Sequence, residues 1–127
     1  MLDTDVSSYI IKRRPDSLLS RFEKHAEELC VSVITAAELR FGAEMVNRPR
    51  LTELVEAFLE RLSILDWTSA VTHHYARLRS ALERAGTSIG NMDLLIAAHA
   101  MSEGSTLVTN NTKHFSHVPG LRLEEWK

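Results

Sequence analysis

The hydrophobic residues of this chain fall into short β-branched runs and into longer stretches where they recur every three or four positions. The short runs predict strands and the longer stretches predict amphipathic helices. We expect strands at residues 1–3, 29–34, 63–67, 105–109 and 121–123. We expect helices at residues 6–14, 16–28, 35–46, 49–62 and 69–85, and a central helix after Gly90. Strands separated by helices predict an α/β fold with a mostly parallel sheet.

The most apolar stretch is residues 90–100, where a turn is followed by an almost wholly hydrophobic helix. Gly90 and Asn91 supply the break and an N-cap, and Asp93 lies in the first helical turn. A carboxylate at a helix N-terminus is stabilised by the helix dipole, which is an ordinary structural explanation. Because so apolar a helix is buried, Asp93 is also a candidate for a functional site.

Two further carboxylates occupy positions where a charge is costly. Asp3 ends the first predicted strand, and Glu38 lies on the apolar side of helix 35–46, about 20° from Met45 at 100° per residue. The alternative for Glu38 is a boundary residue whose stem packs while its head reaches water or Arg40. In parallel α/β sheets, sites form at the carboxyl ends of the strands, where topology places Asp3, Glu38 and Asn111.

Three carboxylates brought close together repel one another, so the cluster requires protons or a cation. Carboxylate oxygens suit Mg²⁺ or Mn²⁺, and the sequence has no His/Cys spacing typical of zinc. The natural reaction for such a site is phosphodiester hydrolysis.

Composition limits the other possibilities. The chain has 127 residues, 44% hydrophobic and 25% charged, which predicts one globular domain over residues 1–127. A net charge of −2 gives no overall argument for nucleic-acid binding. No apolar run approaches a membrane span and no signal peptide is evident, so we expect a cytoplasmic protein without a membrane partner. Cys30 is the only cysteine and is expected in the core.

Four motifs, in order, resemble those of PIN-domain ribonucleases, and more narrowly those of VapC toxins of bacterial toxin–antitoxin pairs. They are residues 2–5, 34–42, 89–100 and 107–111, and the ending at residues 118–126 is similar as well. The resemblance implies a PIN-like three-layer fold, in which helices cover both faces of a short sheet of four to five strands. Because the motifs extend from residue 2 to residue 126, the resemblance covers essentially the whole chain.

The resemblance also implies roles for individual residues. Asp3, Glu38 and Asp93 would be the acidic residues around Mg²⁺ or Mn²⁺. Asn111 stands where many relatives carry a further acid, and its amide could orient a metal-bound water or contact substrate. Accessory polar residues would be Thr4 and Asp5, the latter at a position where relatives often have Asn.

The partners implied are a homodimer and a cognate VapB-type antitoxin whose tail enters the acidic cleft, the complex binding operator DNA through the antitoxin. The substrate implied is structured RNA, similar to the tRNA anticodon stem-loops cut by this subgroup. We expect dimerisation through the amphipathic helices 49–62 and 69–85. A basic rim for RNA is expected from Lys12, Arg13, Arg14 and Arg40.

Two phosphate-handling alternatives remain open. Residues 3–6 also fit the opening motif of haloacid-dehalogenase-like phosphatases, although the chain is short for that fold and lacks an obvious later acidic pair. A receiver-like phosphoacceptor would use early acids with Asp66 and Lys113, but it leaves Glu38 and Asp93 unexplained. A pure interaction module would explain the helices and none of the acids.

Overall fold

The computed structural model describes residues 1–126 and consists of helices around a short sheet. The helices are α1 Thr4–Arg13, α2 Asp16–His25, α3 Val33–Val46, α4 Pro49–Glu60, α5 Val71–Ala85, α6 Asn91–Ser102 and α7 Thr112–Phe115, with a 3₁₀ turn at Ala26–Glu28. The strands are β1 Cys30–Ser32, β2 Ser63–Leu65, β3 Leu107–Val108 and β4 Leu123–Glu124.

The N-terminal residues join two pairs of strands into one sheet. β1 pairs in parallel with β2, and β3 pairs in parallel with β4. Leu2 bridges in parallel to Val108, and its N–H donates to the carbonyl of Cys30. The spatial order is therefore β2, β1, the N-terminal segment, β3, β4, and Asp3 lies where the central segment ends.

Helices cover both faces of this sheet. Leu2, Val31 and Val108 belong to one hydrophobic core, while Met1 and Leu107, their neighbours along the chain, belong to the other. Helices α1 to α4 supply the buried side chains of the first core, and α5 to α7 supply those of the second. This alternation confirms the predicted three-layer arrangement, because consecutive strand residues point to opposite faces.

Several predicted element ends were wrong. Helix α1 begins at Thr4 rather than residue 6, because the Asp3 side chain caps it by accepting a hydrogen bond from the Val6 N–H at 2.8 Å. Helix α3 begins at Val33 rather than Thr35, because Ser32 caps it by accepting from the Ile34 N–H at 3.1 Å. The last strand is Leu123–Glu124, later than predicted.

The expected dimer surface on helices α4 and α5 stays a prediction, but the large exposed hydrophobic side chains among residues 1–126 lie on other elements. Helices α4 and α5 bury their apolar faces in the two cores, among them Val55, Phe58 and Leu78, and leave no surplus apolar stripe. The large exposed hydrophobic residues include Phe41 (66% exposed), Met45 (70%) and Val46 (47%), all on α3. No helix within residues 1–126 is long and apolar enough to cross a membrane.

Candidate active site

Asp3 is the most deeply buried carboxylate of the candidate site, with 2% of its surface exposed. Burial raises its pKa to about 6, while hydrogen bonds from the Thr109 hydroxyl and the Val6 N–H act in the opposite direction. The charges of Asp5 and Asp93 raise the pKa further. Asp3 is therefore held in a fixed orientation and feels two neighbouring negative charges.

Asp93 lies in the first turn of α6, as predicted, and is half-buried. Its Oδ2 lies 3.0 Å from Nε2 of His114 on α7. Burial raises the pKa of Asp93, the facing imidazole of His114 lowers it, and the charge of Asp5 raises it. Asp93 therefore lies on the same side of the molecule as Asp3 and Asp5, near enough for its charge to raise the pKa of Asp3.

Glu38 reaches the same edge through a chain of hydroxyl groups. Its Oε1 accepts a hydrogen bond of 2.7 Å from the Thr4 hydroxyl, which lies 3.1 Å from that of Thr35. Because Thr4 has one proton and donates it to Glu38, its oxygen accepts from Thr35. Glu38 lies in the second turn of α3 rather than the first, because the helix begins earlier than predicted.

The residues of the site fit a hard divalent cation by their chemistry. Burial is the main cause of the raised pKa values of Asp3 and Asp93, neighbouring carboxylates raise them further, and a bound cation would offset both effects. Residues 1–126 nevertheless contain no ready-made group of three His, Cys, Asp or Glu side chains that could hold a metal ion. In this arrangement Asp93 faces His114 and Glu38 is bound by Thr4.

The four predicted rim cations occupy different environments. Lys12 lines a groove together with Asp5 and Glu38. Arg40 instead forms a two-pronged ion pair with Glu56 on α4, with N–O distances of 2.8 and 3.0 Å. The remaining two, Arg13 and Arg14, are exposed at the far end of α1 from Asp3, a helix of 10 residues or about 15 Å.

Asn111 is exposed at the N-terminal boundary of α7, and with His114 it lines an open cleft. Thr109 and His114 also belong to the site, although neither was predicted from the sequence. Thr109 could have been found, since it directly follows β3 at the carboxyl edge and is fully buried. No periodicity marks His114, whose position depends on how the segment after β3 turns back toward α6.

Comparison with known proteins places this site in a family. Residues 1–121 match the PIN domain family. The chain is also 47% identical to "Ribonuclease VapC2" from Haemophilus influenzae over 127 residues, which cover 99% of this chain and 96% of that protein. The chain belongs to the VapC group of PIN-domain proteins. The resemblance carried by the four sequence motifs is thereby confirmed.

Other VapC relatives are similar to this chain over nearly their full length. "tRNA(fMet)-specific endonuclease VapC" from Salmonella typhimurium is 40% identical, with 99% of this chain and 96% of that protein covered. The VapBC2 structure from Rickettsia felis, bound to a promoter DNA fragment, superposes with a TM-score of 0.95 at 40% identity and covers 100% of this chain and 98% of that one. These matches support neither the haloacid-dehalogenase-like nor the receiver-like alternative.

Proposed function

We propose that this VapC-type protein is a divalent-metal-dependent endoribonuclease and the toxin of a toxin–antitoxin pair. The observation that carries the proposal is that Asp3 and Asp93, each with a raised pKa, lie near one another at the carboxyl edge of a PIN fold, where the charge of Asp93 acts on Asp3. Ribonuclease and endonuclease are the names of the relatives at 47% and 40% identity.

The three acids would hold Mg²⁺ or Mn²⁺, and their side chains would have to reorient to different extents. Asp3 is fixed by the Val6 N–H and the Thr109 hydroxyl, so it would bind without reorienting. Asp93 would exchange its contact with His114 for the cation, and Glu38 would turn from Thr4. The chemistry that such a cation supplies is activation of water and stabilisation of the charge on the leaving oxygen.

The substrate and partners are proposed by extension from the relatives. The Salmonella relative is named for tRNA(fMet), which supports tRNA as the substrate class. Solved VapBC structures include two bound to DNA, which supports a VapB-type antitoxin as the inhibitor and as the link to operator DNA. We place the protein in the cytoplasm, as one domain over residues 1–127.

A homodimer is part of the same proposal, through α3 rather than through α4 and α5. The exposed side chains of Phe41, Met45 and Val46 provide the apolar surface that such an interface requires.

Metal dependence is tested with purified protein and bulk bacterial tRNA. We expect specific cleavage with Mg²⁺ or Mn²⁺, no cleavage in EDTA, and recovery when the cation is restored in excess. Full cleavage in EDTA would contradict the metal-dependent reaction, and no cleavage under any condition would contradict the ribonuclease itself.

A further inference from the structure

An open cleft lies beside the carboxylates, between the segment that precedes α6 and helix α7. Its lining residues are Gly86, Thr87, Ser88, Ile89, Asn111, Lys113, His114 and His117. His114 connects this cleft to the acidic site, because it lines the cleft while its Nε2 lies 3.0 Å from Asp93 Oδ2. Whatever binds in the cleft therefore lies next to the reacting groups.

The chemistry of the lining is the opposite of that of the acidic site. Among the described residues, no carboxylate lines the cleft; its polar groups are hydroxyls, an amide, imidazoles and the Lys113 ammonium. Within residues 1–126, Lys113 and His117 form no ion pair. Some arginines elsewhere on the surface are paired with glutamates, as Arg40 is with Glu56 and Arg79 with Glu83. The cleft thus retains positive charge that the protein does not use internally.

The wall of the cleft leads directly into the start of α6. Residues 86–89 run into Gly90, the N-cap, and no side chain caps the first turn of this helix of 12 residues. The first N–H groups of a helix favour an anion nearby, and Asp93 already supplies a carboxylate in the first turn of α6. Within the cleft itself, the Lys113 ammonium and the Thr87 and Ser88 hydroxyls favour negative charge with oxygen acceptors.

We propose that this cleft binds a backbone phosphate of the RNA next to the bond that is cut. This inference rests on the proposed ribonuclease function and adds its substrate-positioning site. Lys113 supplies the charge, and Thr87, Ser88 and His117 donate hydrogen bonds to the phosphate oxygens. Because every nucleotide carries such a phosphate, the site positions the strand without reading its sequence.

The test compares Lys113→Met and His117→Gln with Lys24→Met in the full-length protein. Lys24 is an exposed lysine on α2, which packs in the first core, whereas α7 packs in the second. With bulk tRNA and Mg²⁺, we expect Lys113→Met to raise KM about tenfold, the effect of one lost charge-assisted hydrogen bond, and to leave kcat within about twofold. The Lys24→Met variant should match the wild type.

Salt dependence provides the second readout. Removal of one phosphate contact should reduce the slope of log(kcat/KM) against log[salt] by about 0.7–0.9 in Lys113→Met only. Unchanged KM and slope in both cleft variants would overturn the proposal. An equal effect of Lys24→Met would also overturn it, because the loss would then be one of overall charge.

Two further measurements are needed. One distinguishes an RNA phosphate from free phosphate as the ligand, and the other distinguishes failure of the cleft proposal from failure of the ribonuclease function. Inorganic phosphate should inhibit tRNA cleavage only weakly. If it instead binds as tightly as tRNA does, the cleft is a site for free phosphate, and the RNA assignment is overturned. If the wild type cleaves no RNA, the proposed function fails, and tRNA binding is then measured directly by fluorescence anisotropy. Weaker binding by Lys113→Met would still support the phosphate site, and equal binding would overturn it.

Discussion

Asp3 combines two tasks that conflict energetically. Its side chain caps α1 through the Val6 N–H, which stabilises the helix, and it presents a carboxylate to the candidate site. Burial of that carboxylate raises its pKa to about 6. The folded protein therefore keeps a destabilising negative charge at neutral pH, and function rather than stability explains its presence.

The Asp3→Asn substitution should remove this destabilisation and keep the capping oxygen. Between its ordinary value of 3.8 and about 6, the native state holds a proton on Asp3 that the unfolded state has lost, so wild-type stability falls as pH rises through this window. We expect metal-free Asp3→Asn to be more stable than wild type by up to about 3 kcal/mol above pH 6. Below about pH 4 the difference should vanish.

Urea unfolding of both proteins in EDTA, at a series of pH values, measures this difference. The same stability gain at pH 4 and pH 7 would show that the substitution acts through packing rather than through charge.

The helices that carry Asp93 and Glu38 are tied together by a buried polar contact. Nδ1 of His99 on α6 lies 2.7 Å from the Ser32 hydroxyl, which caps α3. His99 is fully buried, and burial lowers its pKa, so the neutral ring is favoured. Ser32 therefore fixes the start of α3 and its distance from α6 at the same time.

Ser32→Ala should lose both the helix cap and the partner of a buried imidazole. We expect a loss of about 2–3 kcal/mol in the free energy of unfolding, roughly 1 from the cap and the rest from the unpaired nitrogen. Ser17→Ala, at an exposed serine on α2, is the control and should change stability by less than about 0.5 kcal/mol. Thermal and urea unfolding measure both variants. If Ser32→Ala and Ser17→Ala lose the same stability, the Ser32 contacts do not stabilise the fold as proposed.

The capping residues show what the sequence could and could not predict. Ser32 and Thr35 are both good N-cap residues ahead of an apolar stripe, so local pattern alone did not distinguish them. Tertiary packing decides, since Thr35 is fully buried with its hydroxyl 3.1 Å from that of Thr4. The order of elements and the buried faces followed from periodicity, because those depend on spacing rather than on distant contacts.

The site shows the same division. Asp3 and Asp93 could be selected because a carboxylate is costly in an apolar segment. The contact between His114 and Asp93 joins residues far apart in sequence, and so does the ion pair between Arg40 of the predicted rim and Glu56. Such contacts depend on how elements pack and leave no periodic signal.

The assembled surface is polarised although the net charge is only −2. Acids gather at the carboxyl edge of the sheet, the Lys113 ammonium lines the cleft beside it, and exposed apolar side chains are concentrated on α3. These features correspond to the metal, the RNA and a second subunit in the proposed function. His114 joins the acidic site to the cleft, whereas the apolar side chains of Phe41, Met45 and Val46 belong to neither and can be altered separately.

The double variant Phe41→Asp, Met45→Lys should disrupt the proposed dimer. Both side chains are at least two-thirds exposed (66% and 70%), so the substitutions should leave the fold and its thermal stability nearly unchanged. Light scattering at micromolar concentration should report a dimer for the wild type and a monomer for the variant. A monomeric wild type would contradict the dimer, and a dimeric variant would contradict its placement on α3.

RNA cleavage by Asp93→Asn at saturating Mg²⁺ tests the central claim most directly. If Asp93 only stabilises a helix start, Asn keeps an oxygen in place and activity should survive, as it should in the control Asp16→Asn in the first turn of α2. If Asp93 helps to hold the cation, cleavage should collapse in Asp93→Asn alone, with the fold intact. Wild-type cleavage by Asp93→Asn would contradict the account.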